Sequence, residues 1–456
     1  KLYEISPDLT QIVRQESVGG TPANRMIHDE SRQLFIGPYA IDETGKVRVI
    51  PLKDIPGRLT GTARHLTDPA RKVYHGTMEE GFYEVDVNSL DVKWLYADEN
   101  LSRKHTHGVK KADLIGWHGK GLYSGQGVLV YSNNGEYGDA AKKYFDAPSG
   151  GLHEWNGKEW KMIRRNQFTE VTGPGGIHGN KNPQTDPIWS TGWDHKSLLL
   201  AVRGDGAWAF YRLPKASRTY DGAHGWNTEW PRIRDIGKDG KPDYLMTMHG
   251  MFWSFPGDFS VGHARGIRPR SAYLKVIGDF TRWGDRLVFG NDDSAQKEFL
   301  NVRKAKGHIE GPGESNSNLW FANEQIFDQL GPTVAEGSVW QQEEVQAQSY
   351  SDPMLFSGWD YRSVWLRNHS RGPVLLTLEI DENGDGKWTP FDQVKIDGQG
   401  TINYTCKRNV KAEWIRLKTD SKTVLSAHFV YQNAERRSNK SDKIFDGLSC
   451  QANRKG

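Results

Sequence analysis

Apolar and polar positions group along this chain into short strand-like runs, separated by tight turns built from Gly, Asn, Asp and Pro. Strand, turn and strand units of this kind read from Arg25 to Ala40, Lys72 to Val87, Gly121 to Asn133, Asp243 to Pro256, Asp279 to Asn291 and Asn318 to Gly331. Alternation of this kind is what a half-buried strand requires, and long Ala/Leu/Glu-rich helical stretches are missing. A longer unit repeats: Asp186-Pro187 followed by Gly192-Trp193-Asp194, Ser197 and Leu200 recurs in register as Asp352-Pro353, Gly358-Trp359-Asp360, Ser363 and Leu366. Between units lie loops such as Thr172 to Gly176 and Gly311 to Ser315, where Gly and Pro supply positive or fixed φ.

Repeated hairpins joined by loops of unequal length predict an all-β propeller, because each blade packs face to face on the next and tolerates insertions. Seven or eight blades fit the 456 residues, and a pair of β-sandwiches is the alternative. The chain is read as one propeller over residues 1–456, with the strand after Lys1 closing the ring beside the last blade and a polar tail from about Ser438.

Composition agrees with strands: 50 Gly, 17 Trp, 17 Tyr and 17 Phe. With 60 basic against 57 acidic residues the charge is nearly balanced, so no nucleic-acid partner is implied. No apolar run reaches the roughly 18 residues that would cross a bilayer, so no membrane span is expected. Cys406 and Cys450 allow at most one bridge to the tail. Sequons begin at Asn100, Asn368, Asn403 and Asn439, and with the start at Lys1 they lead us to expect a secreted, processed monomer.

Motifs narrow the chemistry. A G-x-S-x-G elbow, a phosphate loop and an H-E-x-x-H zinc motif are all lacking. Histidines beside Gly or Arg at strand ends are candidate proton carriers: His65, the His105-Thr-His107 pair, His118, His178 and His249. In a propeller they are expected to share one funnel. His105, His118 and His65 are the candidate acid/base residues, and Arg64, His107, Tyr123, His178 and His249 the candidate substrate contacts. Trp117, Trp193, Trp226, Trp230, Trp253 and Trp283 can stack on sugar rings, while Arg64, Arg103, Arg232, Arg234, Arg268 and Arg270 can clamp a carboxylate. His105-x-His107 lacks further ligands at zinc spacing. Asp381 to Gly386 starts like a calcium loop but has Val394 where an EF-hand closes on Glu, and Asp235 to Asp243 is less complete, so both read as β-turns. No cofactor is required for the chemistry, a structural calcium is left open, and a catalytic metal is unassigned.

Gly119 to Glu136, Met248 to Trp253, Asp292 to Ala295 and Ser317 to Ala322 resemble the L-rhamnose-α-1,4-D-glucuronate lyases and the related rhamnosidases of the same fold, and the resemblance runs from about Asn24 to Leu448. It implies a seven-bladed β-propeller acting on rhamnosyl-glucuronate ends of arabinogalactan and gum arabic, with ulvan lyases as more distant relatives. It implies an acid/base histidine, which in some relatives lies on the opposite face near the first blade, where His28 could match. The expected reaction is β-elimination that releases rhamnose. Hydrolysis by an α-L-rhamnosidase, or carbohydrate binding without turnover, are the alternatives.

Overall fold

The computed structural model describes residues 2–16, 24–51, 53, 55, 59–77, 81–96, 119–135, 146–218, 231–292 and 317–436. The fold is all-β, with only short 3-10 turns such as Gly176–His178 and Glu324–Asp328 beside the strands. From Arg25 onward, successive strands pair antiparallel with their chain neighbours. Residues 25–49, 59–96, 119–164, 167–213 and 232–272 each supply four such strands, and 277–322 supplies three. Two-residue turns with positive φ at both positions make several of these reversals, at Gln126-Gly127, Asp205-Gly206 and His249-Gly250.

The first strands of these six units face one another: Arg25–His28, Leu59–Arg64, Gly119–Gly125, Gln167–Thr172, Arg232–Asp235 and Ile277–Trp283. Asn24 binds across them, donating from Nδ2 to the Val171 carbonyl and accepting from the Leu122 amide at Oδ1. Arg232 and Arg234 both reach Glu170, Arg234 also holds Asp279, and Arg25 returns from the first unit to Asp279 in the sixth. This is the arrangement of propeller blades around an axis. Middle strands are covered on both faces, which is why Leu198–Gly204 reads as an unbroken Leu-Leu-Leu-Ala-Val run and is buried throughout.

The chain from Val334 to Gln432 departs from that pattern. Its strands form two sheets with crossed order: Val334–Val345, Thr423–Gln432, Tyr361–Asn368 and Thr401–Thr405 in one, and Met354–Leu355, Trp414–Thr419, Val374–Asp381 and Thr389–Ile396 in the other. Leu366, Leu376, Leu417 and Phe429 from the two sheets share one core. Here burial alternates, as along Thr423–Gln432, because one face is packed and the other open. The second sheet joins the fourth propeller-like unit through a parallel bridge between Arg212 and Met354. Trp414 Nε1 donates to the Ala264 carbonyl at 2.5 Å. Gly384, at φ 68°, leaves room for that same carbonyl, which a Cβ would meet at 2.1 Å.

Several sequence expectations change. Six units of the blade type lie among the described residues, and the strands that follow make a sandwich instead of a further blade. Leu2–Ile5 does not close a ring: it pairs with Ile12–Glu16, because Ser6, Asp8 and Thr10 hydrogen-bond into a local turn. Asn318 to Gly331 is a strand followed by the 3-10 turn, not a hairpin. The Asp-Pro…Gly-Trp-Asp repeat falls once in a blade unit and once in the sandwich, so it is not a blade period. Both acidic loops are turns: Asp381 Oδ1 accepts from the amides of Asn383, Gly384 and Asp385 and its Oδ2 from Gly386, while Asp235 accepts from Gly237 and Asp243. Cys406 is buried, which pushes its thiol up to about 11, and Cys450 and the polar tail lie outside the described residues.

One ionic knot joins blade units to sandwich. Arg212 donates to Asp194, Asp352 and Ser197, and Arg164 adds a fork to Asp352. Burial alone would raise the Asp352 carboxyl, yet the Arg212 and Arg164 charges outweigh it and hold it at about 2. Asp194 is depressed in the same way. A carboxyl lowered by folding adds stability that is complete above its unfolded value of about 3.9 and is lost as pH falls toward the folded value. The urea midpoint should therefore fall between about pH 4 and about pH 2. Asp352→Asn should flatten part of that slope and cost about 1–3 kcal/mol at pH 7 by leaving Arg212 short of counter-charge. An unchanged slope and midpoint in urea titrations of this variant would contradict the role assigned to the knot.

Candidate functional site

Antiparallel pairing fixes which residues can meet. In each blade unit the first strand ends at one end of the sheet, here termed the front, and the turn into the second strand lies there too. Asp29 and Glu30 end or follow the first strand of unit one, as do Arg64 and His65 in unit two, Ser124 to Gly127 in unit three, Pro174 to Asp186 in unit four and Asp235 to Pro242 in unit five. These front segments line one cleft of about 1070 Å³. A narrow extension of about 20 Å³ shares Arg64, Ser124 and Gly179 with it and leads toward Arg25, Glu170 and Arg234 at the axis.

The centre of the cleft is a cluster of four side chains. Arg64 donates from Nη1 to both Glu30 oxygens at 2.8 and 2.9 Å, from Nη2 to Asp29 Oδ2 at 3.0 Å, and from Nε to the His178 carbonyl at 2.7 Å. The second Asp29 oxygen, Oδ1, lies 2.8 Å from His178 Nδ1. An ionised carboxylate can only accept, so Nδ1 carries the proton and Nε2 is left as the basic nitrogen of the neutral ring. His178 is 53% exposed, on the cleft wall. Glycine makes this possible: at Gly179, φ 78°, an added Cβ would sit 2.8 Å from Arg64 Cδ. Burial raises the Glu30 carboxyl, but its own backbone amide and Arg64 pull it below the usual carboxylate range, so it is ionised.

The other expected site residues stand outside this cluster, although His65 borders the cleft. His65 is buried, stacked on Tyr74, with Nδ1 accepting from the Thr67 and Asp68 amides and Nε2 donating to Glu84 at 3.0 Å. Burial lowers its pKa, and both nitrogens are spent, Nδ1 on the 66–68 turn and Nε2 on Glu84. Tyr123 is buried and donates to Asn180 Oδ1 at 2.9 Å, with burial raising its hydroxyl far above the ordinary range. Asn180 also accepts from the Gly175 amide and donates to the Asp186 and Pro187 carbonyls, which fixes the loop that carries His178. His28 is fully buried, its Nε2 2.7 Å from the Pro69 carbonyl and its Nδ1 accepting from Ser31, so it anchors the Asp29-Glu30 turn. His249 sits in the Met248–Met251 turn at the back, packed on Trp193.

His105, His107 and His118 lie outside the described residues, between Tyr96 and Gly119, two positions at the back. Of the histidines expected to share one funnel, His65 and His178 are at the front and His249 is at the back. Of the expected stacking residues, Trp193 and Trp253 are core, Trp283 is half-buried near Phe321, and Trp117, Trp226 and Trp230 are outside the described residues, as is Arg103. Arg232 and Arg234 are spent at the axis, Arg268 on Glu413 and Arg270 on Asp328. Sequence reading missed Asp29, Glu30 and Asn180. Their signal was adjacency, since two follow the His28 strand and one follows Gly176-Ile-His178-Gly179.

No protein-family model matches the chain, and no curated protein does. Among solved structures it is similar to an exo-β-1,3-galactanase from Phanerochaete chrysosporium with galactose, at TM-score 0.28 and 8% identity over 90% of this chain and 100% of that one. It is also similar to a glycoside hydrolase family 43 arabinoxylan arabinofuranohydrolase from Bacillus subtilis, at TM-score 0.27 and 8% identity over 95% and 91% of the two chains. An oligogalacturonate lyase in complex with manganese gives TM-score 0.35 and 13% identity over 60% and 70%. Likeness at this level assigns neither fold nor activity.

Asn180 offers a direct check on how the cleft is built. Asn180→Ala should cost about 2–3 kcal/mol in urea unfolding, because it strands a buried tyrosine hydroxyl and a backbone amide together. Tyr123→Phe, which removes only the donor, should cost about 1 kcal/mol, and the double variant should fall short of the sum. Strict additivity would mean that the two side chains do not interact.

Proposed function

We propose that this chain is a polysaccharide lyase that releases terminal L-rhamnose from α-1,4-linked D-glucuronate by β-elimination, with His178 as the proton carrier. Two things support the reading: the sequence resemblance over Asn24 to Leu448, and a histidine on a wide cleft whose Nδ1 is pinned by a carboxylate so that Nε2 is basic. The second carries it. His105 and His118 remain proposals of the sequence, with His178 placed ahead of them for test.

The chemistry follows from the substrate. The C5 proton of a uronate is weakly acidic, because removing it builds charge beside a carboxylate that is already negative. A cation must offset that charge before a base can act. Arg64 supplies a fixed positive charge at the wall, but its donors are engaged to Asp29, Glu30 and the His178 carbonyl, so it does not offer a free fork. Lys181, exposed on the same cleft, has no ion pair among the described residues and is the side chain assigned to the substrate carboxylate. His178 Nε2 then takes the C5 proton. The C–H electrons form the C4–C5 double bond, the C4–O4 bond breaks toward oxygen, and the imidazolium returns its proton to O4 as rhamnose leaves. H5 and O4 of D-glucuronate lie on the same side of the ring, so one imidazole can serve both steps. Asp29 stabilises the imidazolium between them.

Hydrolysis of the same linkage by an α-L-rhamnosidase is the second reading, and one observation favours it: four carboxylates, Asp29, Glu30, Asp186 and Asp235, line the cleft against two cations, Arg64 and Lys181. A carboxylate-rich cleft suits an oxocarbenium-like transition state. The readings separate in one assay. On gum arabic, elimination gives rhamnose together with a near-ultraviolet absorbance from the conjugated double bond, whereas hydrolysis gives rhamnose alone. His178→Ala should lower the rate about 10²–10⁴-fold. Asp29→Asn should lower kcat with little change in KM and shift the pH profile. Rhamnose without absorbance makes the protein a rhamnosidase. Neither signal, with sugar affinity kept, makes it a binding protein, and full activity in His178→Ala moves the chemistry to His105 or His118.

A further inference from the structure

The outer face of the sandwich carries features that its fold does not need. Tyr361–Asn368 buries Arg362, Val364, Leu366 and Asn368 and turns Tyr361, Trp365 and Arg367 outward. Trp365 is 49% exposed and Tyr361 40%, while among the described tryptophans only Trp94 is comparably open, at 38%. An indole left in water at the middle of a sheet gains nothing for stability, so its exposure calls for another cause. Its cross-strand neighbours are polar: Asn403 on one side and His428 on the other.

Four residues before Trp365, about 13 Å along the strand, Arg408 lies over the Tyr361 ring, its guanidinium carbon 3.9 Å from the centroid. Stacking holds the guanidinium flat while leaving its N–H edge unspent, and Arg408 has no carboxylate partner among the described residues. Arg408 also lines a cleft of about 460 Å³ at the end of that strand, together with Lys411 and Arg436. Five cations line this cleft, Arg268, Arg362, Arg408, Lys411 and Arg436, against Asp360, Glu382 and Glu413. Arg268 is spent on Glu413 and Arg436 on Asp360. Arg408 and Lys411, both exposed, are the two surface cations left over, and Arg367 adds a third beside Trp365.

We infer that this face is a second carbohydrate site, which holds an acidic polysaccharide chain with one sugar ring stacked on Trp365 and a uronate carboxylate on Arg408 and Lys411. A flat aromatic platform is chemistry for the apolar face of a pyranose, and unpaired guanidinium and ammonium groups are chemistry for a carboxylate. Neither alone would choose a uronic-acid polymer over a neutral glycan or an acidic peptide. Together they do, because Tyr361 and Trp365 share one strand and one face, and the loop after Thr401–Thr405 sets Arg408 on Tyr361 with Lys411 three positions further on. The site lies on the sandwich and needs no residue of the front cleft, so it goes beyond the reaction proposed above.

The test is affinity electrophoresis of the full chain, made in a host without N-glycosylation so that Asn403, which opens a sequon beside Trp365, stays bare. Gels contain either a polyglucuronate or a neutral galactan. Retardation by the polyglucuronate is expected, weakening as salt rises. Trp365→Ala should weaken it about fivefold or more, and Arg408→Ala with Lys411→Ala by at least as much, with circular dichroism melts that match the parent protein because all three side chains are exposed. Trp365→Phe, which keeps a platform, should retain most of the binding. No retardation, equal retardation by the galactan, binding indifferent to all of these changes, or a dimer in light scattering that Trp365→Ala dissolves would each overturn the inference. Retention is read without turnover, so a chain that binds the polymer and releases no rhamnose would count against the reaction and leave this site standing.

Discussion

Three arginines and two carboxylates at the axis, with Arg232, Arg234 and Glu170 buried and Arg25 and Asp279 half-buried, decide how the blade units come together. Glu170 and Asp279 are held by Arg232 and Arg234, and Arg25 crosses from the first unit to the last. Burial by itself would raise the Asp279 carboxyl, but the surrounding guanidinium groups reverse that and hold it far below the ordinary range. A buried ionic cluster stabilises only when it is complete, since one missing partner leaves a desolvated charge. It therefore acts as a condition on assembly: units one, four, five and six must all be in place before any of the charges is satisfied. Apolar packing between neighbouring sheets is directionless by comparison and would tolerate a slip.

The front cleft inherits its geometry from that condition. Arg25 and His28 begin and end a strand of four residues, so fixing Arg25 at the axis also fixes the turn that presents Asp29 and Glu30. His28 locks the same turn from beneath through Pro69 and Ser31. Asp29 then meets His178 from a loop nearly 150 positions away, and Arg64 supports both. None of these front residues is on a long flexible arm except Arg64, whose path is cleared by Gly179. The histidine's tautomer is thus set by contacts that trace back, through one short strand, to the charges at the axis.

Sequence reading recovered what depends on local pattern and missed what depends on long-range pairing. The hairpins from Arg25, Lys72, Gly121, Asp243 and Asp279 are present, because alternation and turn residues act over a few positions. The sandwich reads as more propeller because its strands, although longer at up to 12 residues, are separated by the same kinds of turn residue. What separates them is partner order, with Thr423–Gln432 lying between Val334–Val345 and Tyr361–Asn368, and no local signal encodes that. The Gly-Trp-Asp repeat misled for a related reason: Trp193 and Trp359 are both core anchors, which any packed sheet uses. His65 and Tyr123 looked reactive by residue type, but their hydrogen-bond partners, Glu84 and Asn180, only become neighbours in the fold. Asn368 shows the same limit, since its sequon is intact while its side chain is buried and bonded to Gly372, Asp397, Ser370 and Thr423.

The near-neutral total of 60 basic and 57 acidic residues conceals an uneven distribution. Carboxylates outnumber cations along the front cleft, and exposed cations without an ion pair among the described residues collect on the sandwich. A long polyanion is repelled by the first and attracted by the second, over distances of about a Debye length. On the proposed reading this division suits an enzyme that works at chain ends. A rhamnosyl-glucuronate terminus brings one neutral sugar and one negative charge into the cleft, which Lys181 and the field of Arg64 can offset, whereas an internal stretch of a uronate polymer would bring several. On the two proposals together, an acidic cleft would select the capped end of an acidic chain and leave the rest of that chain to a surface of opposite charge.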